Sequence, residues 1–295
     1  MNYRHAFHAG NFADVLKHLI LARVIEHLKK KSAPFRIIDT HAGIGLYDLS
    51  SDEARRTGEW HEGIGRLMRA EIPQDLKPIF APYLQAVAAA NAGIDAAAQQ
   101  QAAVLGSELT RYPGSPVLAA LLKRRDDVLI ANELHPEDNQ ALGATLKSFR
   151  NCKIMELDGY VVLKSTLPPK ERRGIVLIDP PFEQAGEFQR LHQALRQGVQ
   201  RFATGIYLLW YPIKDPRPVV AFKKELGGLG LSKLAAVEFY LRAPNNPDQL
   251  NGHGLIMLNA PFSLKSELEA CLPFLVEVLG QGKGAAYQFE QISEA

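Results

Sequence analysis

Near its amino end, the chain carries apolar residues at the three- and four-residue spacing that is typical of one helix face. They are Val15, Leu16, Leu19, Ile20, Val24, Ile25 and Leu28. Asn11 is a suitable N-cap, because its side-chain oxygen can accept hydrogen bonds from the first free backbone N–H groups. Three lysines at 29–31 would stabilise the negative, carboxyl end of a helix, and Pro34 follows them. The pattern predicts a helix that begins after Asn11 and ends near these lysines.

Downstream of that helix, short apolar runs alternate with longer helical segments. The runs lie at 35–38, 128–131, 152–155, 175–178 and 206–210, and their length is typical of buried parallel strands. The helical segments lie at 136–149, 159–165, 186–202 and 218–226. This alternation predicts a doubly wound α/β fold. Two later runs, 236–241 and 254–258, are typical of a hairpin at the far end of the sheet.

One interval is too long for a simple doubly wound fold. The next acidic strand end normally follows the first by about 20 residues, whereas Asp39 and Glu133 are 94 positions apart. The intervening segment is rich in Ala and Gln, and it carries a helical apolar face that includes Ile64, Leu67 and Phe80. We therefore expect a small helical subdomain at 48–111, inserted into a main domain of 1–47 and 112–295. A partly disordered linker is the alternative.

The overall composition is that of an ordinary globular protein. The 295 residues are 46% hydrophobic and 22% charged, which excludes a disordered or collagen-like chain. The formal net charge is only +2, so any surface that binds nucleic acid must be a local patch. Cys152 and Cys271 are the two cysteines, which is too few for a disulfide framework or a cysteine-based zinc site.

The same features predict the compartment. Few cysteines suit a reducing environment, no apolar run approaches the roughly 20 residues of a membrane span, and the first eight residues do not resemble a signal peptide. The sequence therefore predicts a cytoplasmic protein without a membrane partner. His5, His8 and His18 do not stand at a spacing typical of metal ligands, so we expect no metal.

A glycine-containing loop follows the first predicted strand, and it is the first candidate for a binding site. It reads Asp39-Thr40-His41-Ala42-Gly43-Ile44-Gly45. Glycines let the backbone approach a ligand closely, and an acidic residue at the strand tip can orient the polar end of that ligand. The third glycine of the dinucleotide fingerprint is replaced by Asp48, which disfavours NAD. A structural turn is the alternative.

Acidic residues also follow the next two predicted strands. A carboxylate on Glu133 can accept hydrogen bonds from the two hydroxyls of a ribose. Asp158, followed by Gly159, lies where an acceptor could contact the amino group of an adenine. The alternatives are an exposed strand-end acid for Glu133 and a turn or helix cap for Asp158.

The most specific signal is the sequence Asp179-Pro180-Pro181-Phe182, which follows a strand of four apolar residues. An amine on an aromatic base is a poor nucleophile, because its lone pair is delocalised into the ring. The carboxylate of Asp179 and the backbone carbonyl of Pro180 can both accept the hydrogens of that amine and so localise the lone pair. Phe182 can stack on the base. A Pro-Pro turn that merely ends a strand is the alternative. Together, the four signals at successive strand ends resemble those of a Rossmann-like amino-methyltransferase that uses S-adenosylmethionine.

Seven blocks, in register over essentially the whole chain, make the sequence similar to one family. It resembles the ribosomal RNA large subunit methyltransferase J family, which carries a helical insert of the kind inferred above. The blocks are Tyr3-Arg4-His5-Ala6-Phe7-His8-Ala9-Gly10-Asn11, Asp14-Val15-Leu16-Lys17-His18, the loop from Asp39 to Gly45, Arg56-Thr57-Gly58-Glu59, Tyr112-Pro113-Gly114-Ser115-Pro116, Glu133-Leu134-His135-Pro136 and Leu209-Trp210-Tyr211-Pro212.

The resemblance implies N6-methylation of a single adenine in 23S ribosomal RNA, with S-adenosylmethionine as donor and no metal or obligate protein partner. It also implies a Rossmann-like methyltransferase fold with a mostly parallel, seven-stranded sheet. The implied catalytic residues are Asp179, Pro180 and Phe182, and the implied RNA contacts are Tyr3 and Phe182. The donor-binding residues come partly from the resemblance and partly from the motifs at the strand ends. They are Lys17, His18, Asp39, His41, Gly43, Gly45, Ser115, Glu133, Asp158 and Gly159.

One departure from the family pattern keeps alternatives open. The family usually ends its catalytic motif in Tyr, whereas this chain has Phe182, so stacking is retained without the phenolic hydroxyl. The same motif also resembles that of guanine-N2 rRNA methyltransferases. A nucleic-acid-binding protein linked to DNA utilisation is a further alternative. A sequence-specific DNA methyltransferase is disfavoured by the small insert, and an NAD-dependent oxidoreductase by the missing glycine.

Overall fold

The computed structural model describes residues 4–93 and 109–293. After a single 3₁₀ turn at His5–Phe7, the chain forms the eleven helices named below in this described part. They are α1 (Phe12–Lys29), α2 (Asp52–Thr57), α3 (Glu59–Glu62), α4 (Ile64–Arg69), α5 (Lys77–Ala92), α6 (Ser115–Leu122), α7 (Pro136–Leu146), α8 (Gly159–Thr166), α9 (Glu187–Arg201), α10 (Pro216–Gly227) and α11 (Phe262–Leu279).

Eight strands of the described residues form one large sheet in the order β10-β8-β9-β7-β6-β1-β4-β5, and two short strands, β2 and β3, pair separately. Strands β7, β6, β1, β4 and β5 are parallel, while β9, β8 and β10 are antiparallel. Their bounds are β1 (Arg36–Asp39), β2 (Leu46–Asp48), β3 (Arg111–Pro113), β4 (Val128–Asn132), β5 (Cys152–Met155), β6 (Gly174–Ile178), β7 (Ile206–Ile213), β8 (Leu234–Tyr240), β9 (Gly252–Leu258) and β10 (Ala286–Ser293).

The buried residues of the parallel strands alternate between two apolar layers, one on each face of the sheet. In β6, Ile175 and Leu177 belong to one layer, and Val176 and Ile178 belong to the other. This is the period-two alternation of a strand that is covered by helices on both sides. The predicted doubly wound α/β class is therefore confirmed.

The prediction of seven strands in the sheet was wrong, because β10 adds an eighth. Ala286–Ser293 pairs antiparallel with β8 along its whole length. Its side chains are exposed or half-buried, so it lacks the continuous apolar run by which the buried strands were found. The predicted hairpin is confirmed: β8 and β9 pair antiparallel and carry the chain to this edge.

The first helix sets one wall of the site, and its start follows the predicted cap. The Asn11 side chain accepts hydrogen bonds from the backbone N–H groups of Ala13 and Asp14 at 2.9 and 3.0 Å. Fourteen of the 18 residues in α1 are buried, which is more than one helix face. The helix is therefore enclosed on several sides, and polar residues on it are held inside the protein.

The long interval between β1 and β4 contains helices α2 to α5, which are bracketed by the β2–β3 pair. Apolar side chains from α4 and α5, including Leu67, Phe80 and Val87, share one core with α1. Residues 94–108 of the predicted helical subdomain lie outside the described residues, and the division of the chain at 48 and 111 stays a prediction. No helix within residues 4–93 or 109–293 has the length and hydropathy required to cross a membrane.

Candidate active site

The carboxyl ends of β6, β1, β4 and β5 lie side by side, because these strands are adjacent and parallel. The loops that leave them meet at one edge of the sheet, where doubly wound folds bind ligands. They line a cavity, named here the polar cavity. Its walls include these predicted site residues: Lys17, His18, His41, Gly43, Ser115, Glu133, Asp158, Gly159, Asp179 and Pro180.

Two predicted donor-site residues, Asp39 and Gly45, do not line this cavity and lie behind it. Asp39 accepts a hydrogen bond of 2.6 Å from the hydroxyl of Ser115. Burial raises the pKa of Asp39 to about 7, against the opposing effect of that hydrogen bond. The carbonyl of Gly45 accepts from the N–H of Gly114 at 2.8 Å. Both residues therefore hold the loops that form the cavity.

Glycines are required where the polar cavity is narrow. Gly43 has a φ of +58°, and a Cβ there would lie 2.2 Å from the hydroxyl of Tyr47. A Cβ on Gly159 would lie 2.5 Å from the His41 ring and 2.9 Å from the carbonyl of Thr40. Real Cβ atoms do not approach other atoms so closely, so side chains at these two positions would displace the walls of the cavity.

The two acidic residues after β4 and β5 are held by backbone groups. Glu133 accepts from the N–H groups of Gly43 and His135, each at 2.9 Å, and burial raises its pKa. Asp158 is the N-cap of α8, since it accepts from the N–H groups of Tyr160 and Val161. The predicted cap role of Asp158 is thus real, and the residue lines the cavity as well.

The turn after β6 brings together residues that are 162 positions apart. The ammonium of Lys17 donates a 2.5 Å hydrogen bond to Asp179 and lies 2.8 Å from Asp14. Burial acts to lower the pKa of Lys17, but the carboxylates of Asp14 and Asp179 outweigh it and raise that pKa above its usual value. Asp179 therefore faces a buried, charged partner on α1.

Sequence reasoning did not single out Asp14, although its spacing from Lys17 and His18 on one helix was a signal for it. Burial would raise the pKa of Asp14, but its electrostatic interactions with His5 and Lys17 hold that pKa well below its usual range. His5 lies 2.9 Å from the other oxygen of this carboxylate. An ionised Asp14 thus fixes the position of Lys17.

A second cavity, named here the aromatic cavity, adjoins the first. Its apolar walls include Phe182, Phe188 and Trp210, and it shares Lys17 and Asp179 with the polar cavity. The Phe182 ring meets the rings of Phe188 and Trp210 edge to face, at centroid distances of 5.1 and 5.9 Å. The Lys17–Asp179 pair is therefore common to the walls of both cavities.

Sequence reasoning missed the role of Trp210 as a wall, even though Trp210 belonged to a family-like block. Its indole N–H donates to His253 at 3.1 Å, and β7 and β9 bring these two residues together from distant parts of the chain. The predicted RNA contact Tyr3 lies outside the described residues. Within residues 4–93 and 109–293, the His, Cys, Asp and Glu side chains form no group of three or more that could hold a metal ion.

Comparison with known proteins gives the family. The family model described as "Ribosomal RNA large subunit methyltransferase D, RlmJ" matches residues 32–290. Proteins named ribosomal RNA large subunit methyltransferase J are 38% identical to this chain in Haemophilus influenzae, over 95% of this chain and 94% of that protein. The Escherichia coli protein of that name is also 38% identical, over 93% of this chain and 92% of its own length.

A solved structure agrees with the sequence matches. The crystal structure of a Legionella pneumophila protein superposes with a TM-score of 0.82 at 30% identity, and it covers 96% of this chain and 98% of that chain. The resemblance that the sequence blocks indicated is therefore confirmed. This chain belongs to the RlmJ family of ribosomal RNA large subunit methyltransferases.

Proposed function

We propose that this protein transfers a methyl group from S-adenosylmethionine to the N6 amine of one adenine in 23S ribosomal RNA. One observation carries the proposal: the turn that begins at Asp179 lies where the polar cavity and the aromatic cavity meet, since Asp179 and Pro181 line both. A donor in the first and a base in the second would bring the methyl group and the amine together beside Asp179.

The polar cavity suits S-adenosylmethionine on several grounds. Gly43 and Gly159 keep its walls in place, because a Cβ at either position would collide with Tyr47 or His41. Glu133 can accept hydrogen bonds from ribose hydroxyls, and Asp158 can accept one from an adenine amine. His18 offers a buried ring nitrogen, Nε2, that has no partner among the described residues. When bound, this cofactor supplies an electrophilic methyl group on a sulfonium.

The catalytic turn acts on the amine of the base. Asp179 and the carbonyl of Pro180 accept its two hydrogens, which turns the nitrogen lone pair out of conjugation and towards the methyl group. The ammonium of Lys17, 2.5 Å from Asp179, holds that carboxylate in place. After transfer, the extra proton on N6 leaves to Asp179 or to solvent.

The aromatic cavity suits the base itself. Phe182 presents a ring beside Asp179, and the edge-to-face contacts with Phe188 and Trp210 fix its orientation. Stacking of one base on an aromatic side chain contributes roughly 1–3 kcal/mol. The N6 amine is paired inside an RNA helix, so the target adenine must be unpaired or flipped out at a cost of a few kcal/mol. Naked RNA should therefore be methylated faster than fully assembled large subunits.

Mass spectrometry of nucleosides tests the proposal. Deproteinised 23S RNA would be incubated with the protein and methyl-labelled donor, then digested. Label in N6-methyladenosine is expected, and Asp179→Ala should abolish it. Asp126→Ala, an exposed substitution in the turn before β4 at the opposite edge of the sheet, is the matched control and should retain activity. Label in N2-methylguanosine, or no label, would contradict the proposal.

A further inference from the structure

A buried chain of hydrogen bonds runs from the polar cavity into the inserted segment. Nδ1 of His18 lies 2.8 Å from the hydroxyl of Tyr112, and that hydroxyl lies 3.0 Å from the hydroxyl of Tyr83. Tyr83 belongs to α5 and Tyr112 to β3, and all three side chains are at most 1% exposed. These hydrogen bonds therefore connect the cavity wall to a helix of the insert without contact with water.

The other ring nitrogen of His18 has no hydrogen-bond partner in the described part of the protein. Nε2 is buried and makes no hydrogen bond to any described residue. The nearest carboxylate oxygen belongs to Asp14, at 3.8 Å, which is too far for a hydrogen bond. His18 itself lines the polar cavity. Its free nitrogen is thus available to a ligand there.

Electrostatics determine which group donates in each of these hydrogen bonds. Burial lowers the pKa of His18 to about 3, so the ring is neutral and carries one proton. A lone pair on Nε2 would face the anionic Asp14, whereas an N–H there is attracted to it. The proton therefore resides on Nε2, and Nδ1 accepts from Tyr112. The hydroxyl of Tyr112 in turn accepts from Tyr83.

Both phenols remain protonated in this arrangement. Burial raises the pKa of both Tyr83 and Tyr112. The His18 and Tyr112 rings stack at a centroid distance of 5.6 Å with an interplanar angle of 22°. This ring contact holds the orientation of His18, and the O–H group of each tyrosine donates towards the cavity.

The order of the strands shows which part of the donor would meet His18. Glu133 and Asp158 follow β4 and β5, the last two strands of the parallel part of the sheet. An adenosine held by these two acids leaves the amino-acid end of the donor over β1 and α1, where His18 lies. A carboxylate is the acceptor that an Nε2–H group requires there.

We infer that Tyr112 and Tyr83 are positioning residues that hold the Nε2–H tautomer of His18 for the donor's carboxylate. The inference rests on the proposed donor site. It also gives the inserted helix α5 an influence on donor affinity through Tyr83, although α5 contributes no residue to the polar cavity wall.

Two ligands separate this role from a general effect on folding. S-adenosylhomocysteine retains the carboxylate, whereas 5′-methylthioadenosine lacks the whole amino-acid end. Tyr112→Phe removes the donor to Nδ1, so its affinity for S-adenosylhomocysteine should fall about tenfold, equivalent to about 1.4 kcal/mol. Its affinity for 5′-methylthioadenosine should stay within twofold of wild type. Tyr83→Phe should show the same selectivity with a smaller loss.

The matched control is Tyr207→Phe. Tyr207 is also fully buried and donates a 2.9 Å hydrogen bond, but to the carbonyl of Phe202, away from both cavities. Both affinities of this variant should equal those of wild type. Titration calorimetry on the four proteins measures them, and ¹⁵N NMR of His18 in the ligand-free wild type reads the tautomer directly.

The outcomes distinguish the inference from the proposed function. A wild-type Nδ1–H tautomer, or an equal loss for both ligands in Tyr112→Phe, overturns the positioning role. If wild type binds neither ligand, the donor assignment itself is wrong, and the NMR spectrum still decides the direction of the chain. If Tyr112→Phe does not fold, the tautomer and the Tyr83→Phe affinities decide.

Discussion

The two cavities that meet at Asp179 are built in different ways. The polar cavity is formed by loops at the ends of β1, β4, β5 and β6, and backbone groups hold its acids in place. The apolar part of the aromatic cavity is formed by Phe182, whose ring contacts those of Phe188 and Trp210 edge to face. Part of its wall comes from residues before and at the start of α1, and part from β7 and the residues beyond it.

The difference teaches how one site can hold two unlike ligands. A small donor with ribose hydroxyls and a charged end needs fixed acceptors and donors, which strand-end loops provide. A base that arrives on a large RNA needs a flat apolar surface and an open approach. The Lys17–Asp179 pair is shared by both cavities, so substitutions on either side of it should have separable effects.

The largest effect is expected at the shared wall. Asp179→Ala should reduce methyl transfer more than a hundredfold, because the acceptor for the base amine is lost, while donor affinity stays within a few-fold. Single-turnover kinetics and separate donor titrations measure the two quantities. If the variant retained more than about a tenth of the wild-type rate, where each tenfold is about 1.4 kcal/mol of barrier, Asp179 would have no part in the mechanism.

A substitution in the aromatic cavity should affect the RNA alone. Phe182→Ala should weaken RNA-dependent turnover by roughly 5- to 150-fold, the equivalent of 1–3 kcal/mol of stacking, without changing donor affinity. Phe182→Tyr is the conservative control and should be nearly neutral, because it presents the same ring face. A comparable loss in both variants, or a loss of donor affinity, would show that the ring does not stack on the base.

A substitution in the polar cavity should affect the donor alone. Gly159→Ala places a Cβ 2.5 Å from His41, so donor affinity should fall about tenfold, or about 1.4 kcal/mol. Gly143→Ala is the matched control, since a Cβ there meets nothing within 4 Å. Calorimetric titration with S-adenosylhomocysteine decides the matter, and equal affinities in the two variants would contradict the proposed donor position.

The same contrast explains what the sequence could predict. Strands buried on both faces are apolar runs, so the sequence predicted their positions along the chain and the acids at their ends. The edge strand β10 has half-buried and exposed side chains, so it carried no such signal. Lys17 and Asp179 are adjacent only because α1 packs near the end of β6, and Trp210 and His253 only because β7 and β9 pair. Contacts between distant segments leave no local pattern.

The last effect concerns the pH dependence of stability rather than methyl transfer. Burial lowers the pKa of His18, His41 and His253 to about 3, 4 and 3, against about 6.5 in an unfolded chain. The folded protein therefore binds fewer protons between pH 4 and 6.5, so these residues make stability rise with pH across that window. Asp39, whose pKa is raised to about 7, acts in the opposite direction.

His253 offers the cleanest test of this balance, because it lines neither cavity. His253→Gln should reduce the rise of unfolding free energy by up to about 1.4 kcal/mol per pH unit between pH 4 and 6.5. Urea unfolding of both proteins over a pH series measures the slopes. An unchanged slope would mean that His253 is protonated equally in the folded and unfolded chains.

The most direct test of two cavities that meet at Asp179 is the affinity of one molecule that fills both. A bisubstrate compound would join the amino-acid and adenosine parts of the donor to the N6 atom of a second adenosine. The account predicts that wild type binds it more tightly than S-adenosylhomocysteine, and that Phe182→Ala loses this gain while its affinity for S-adenosylhomocysteine is unchanged. A compound that binds no more tightly than S-adenosylhomocysteine, or a tighter analogue linked through guanine N2, would contradict it.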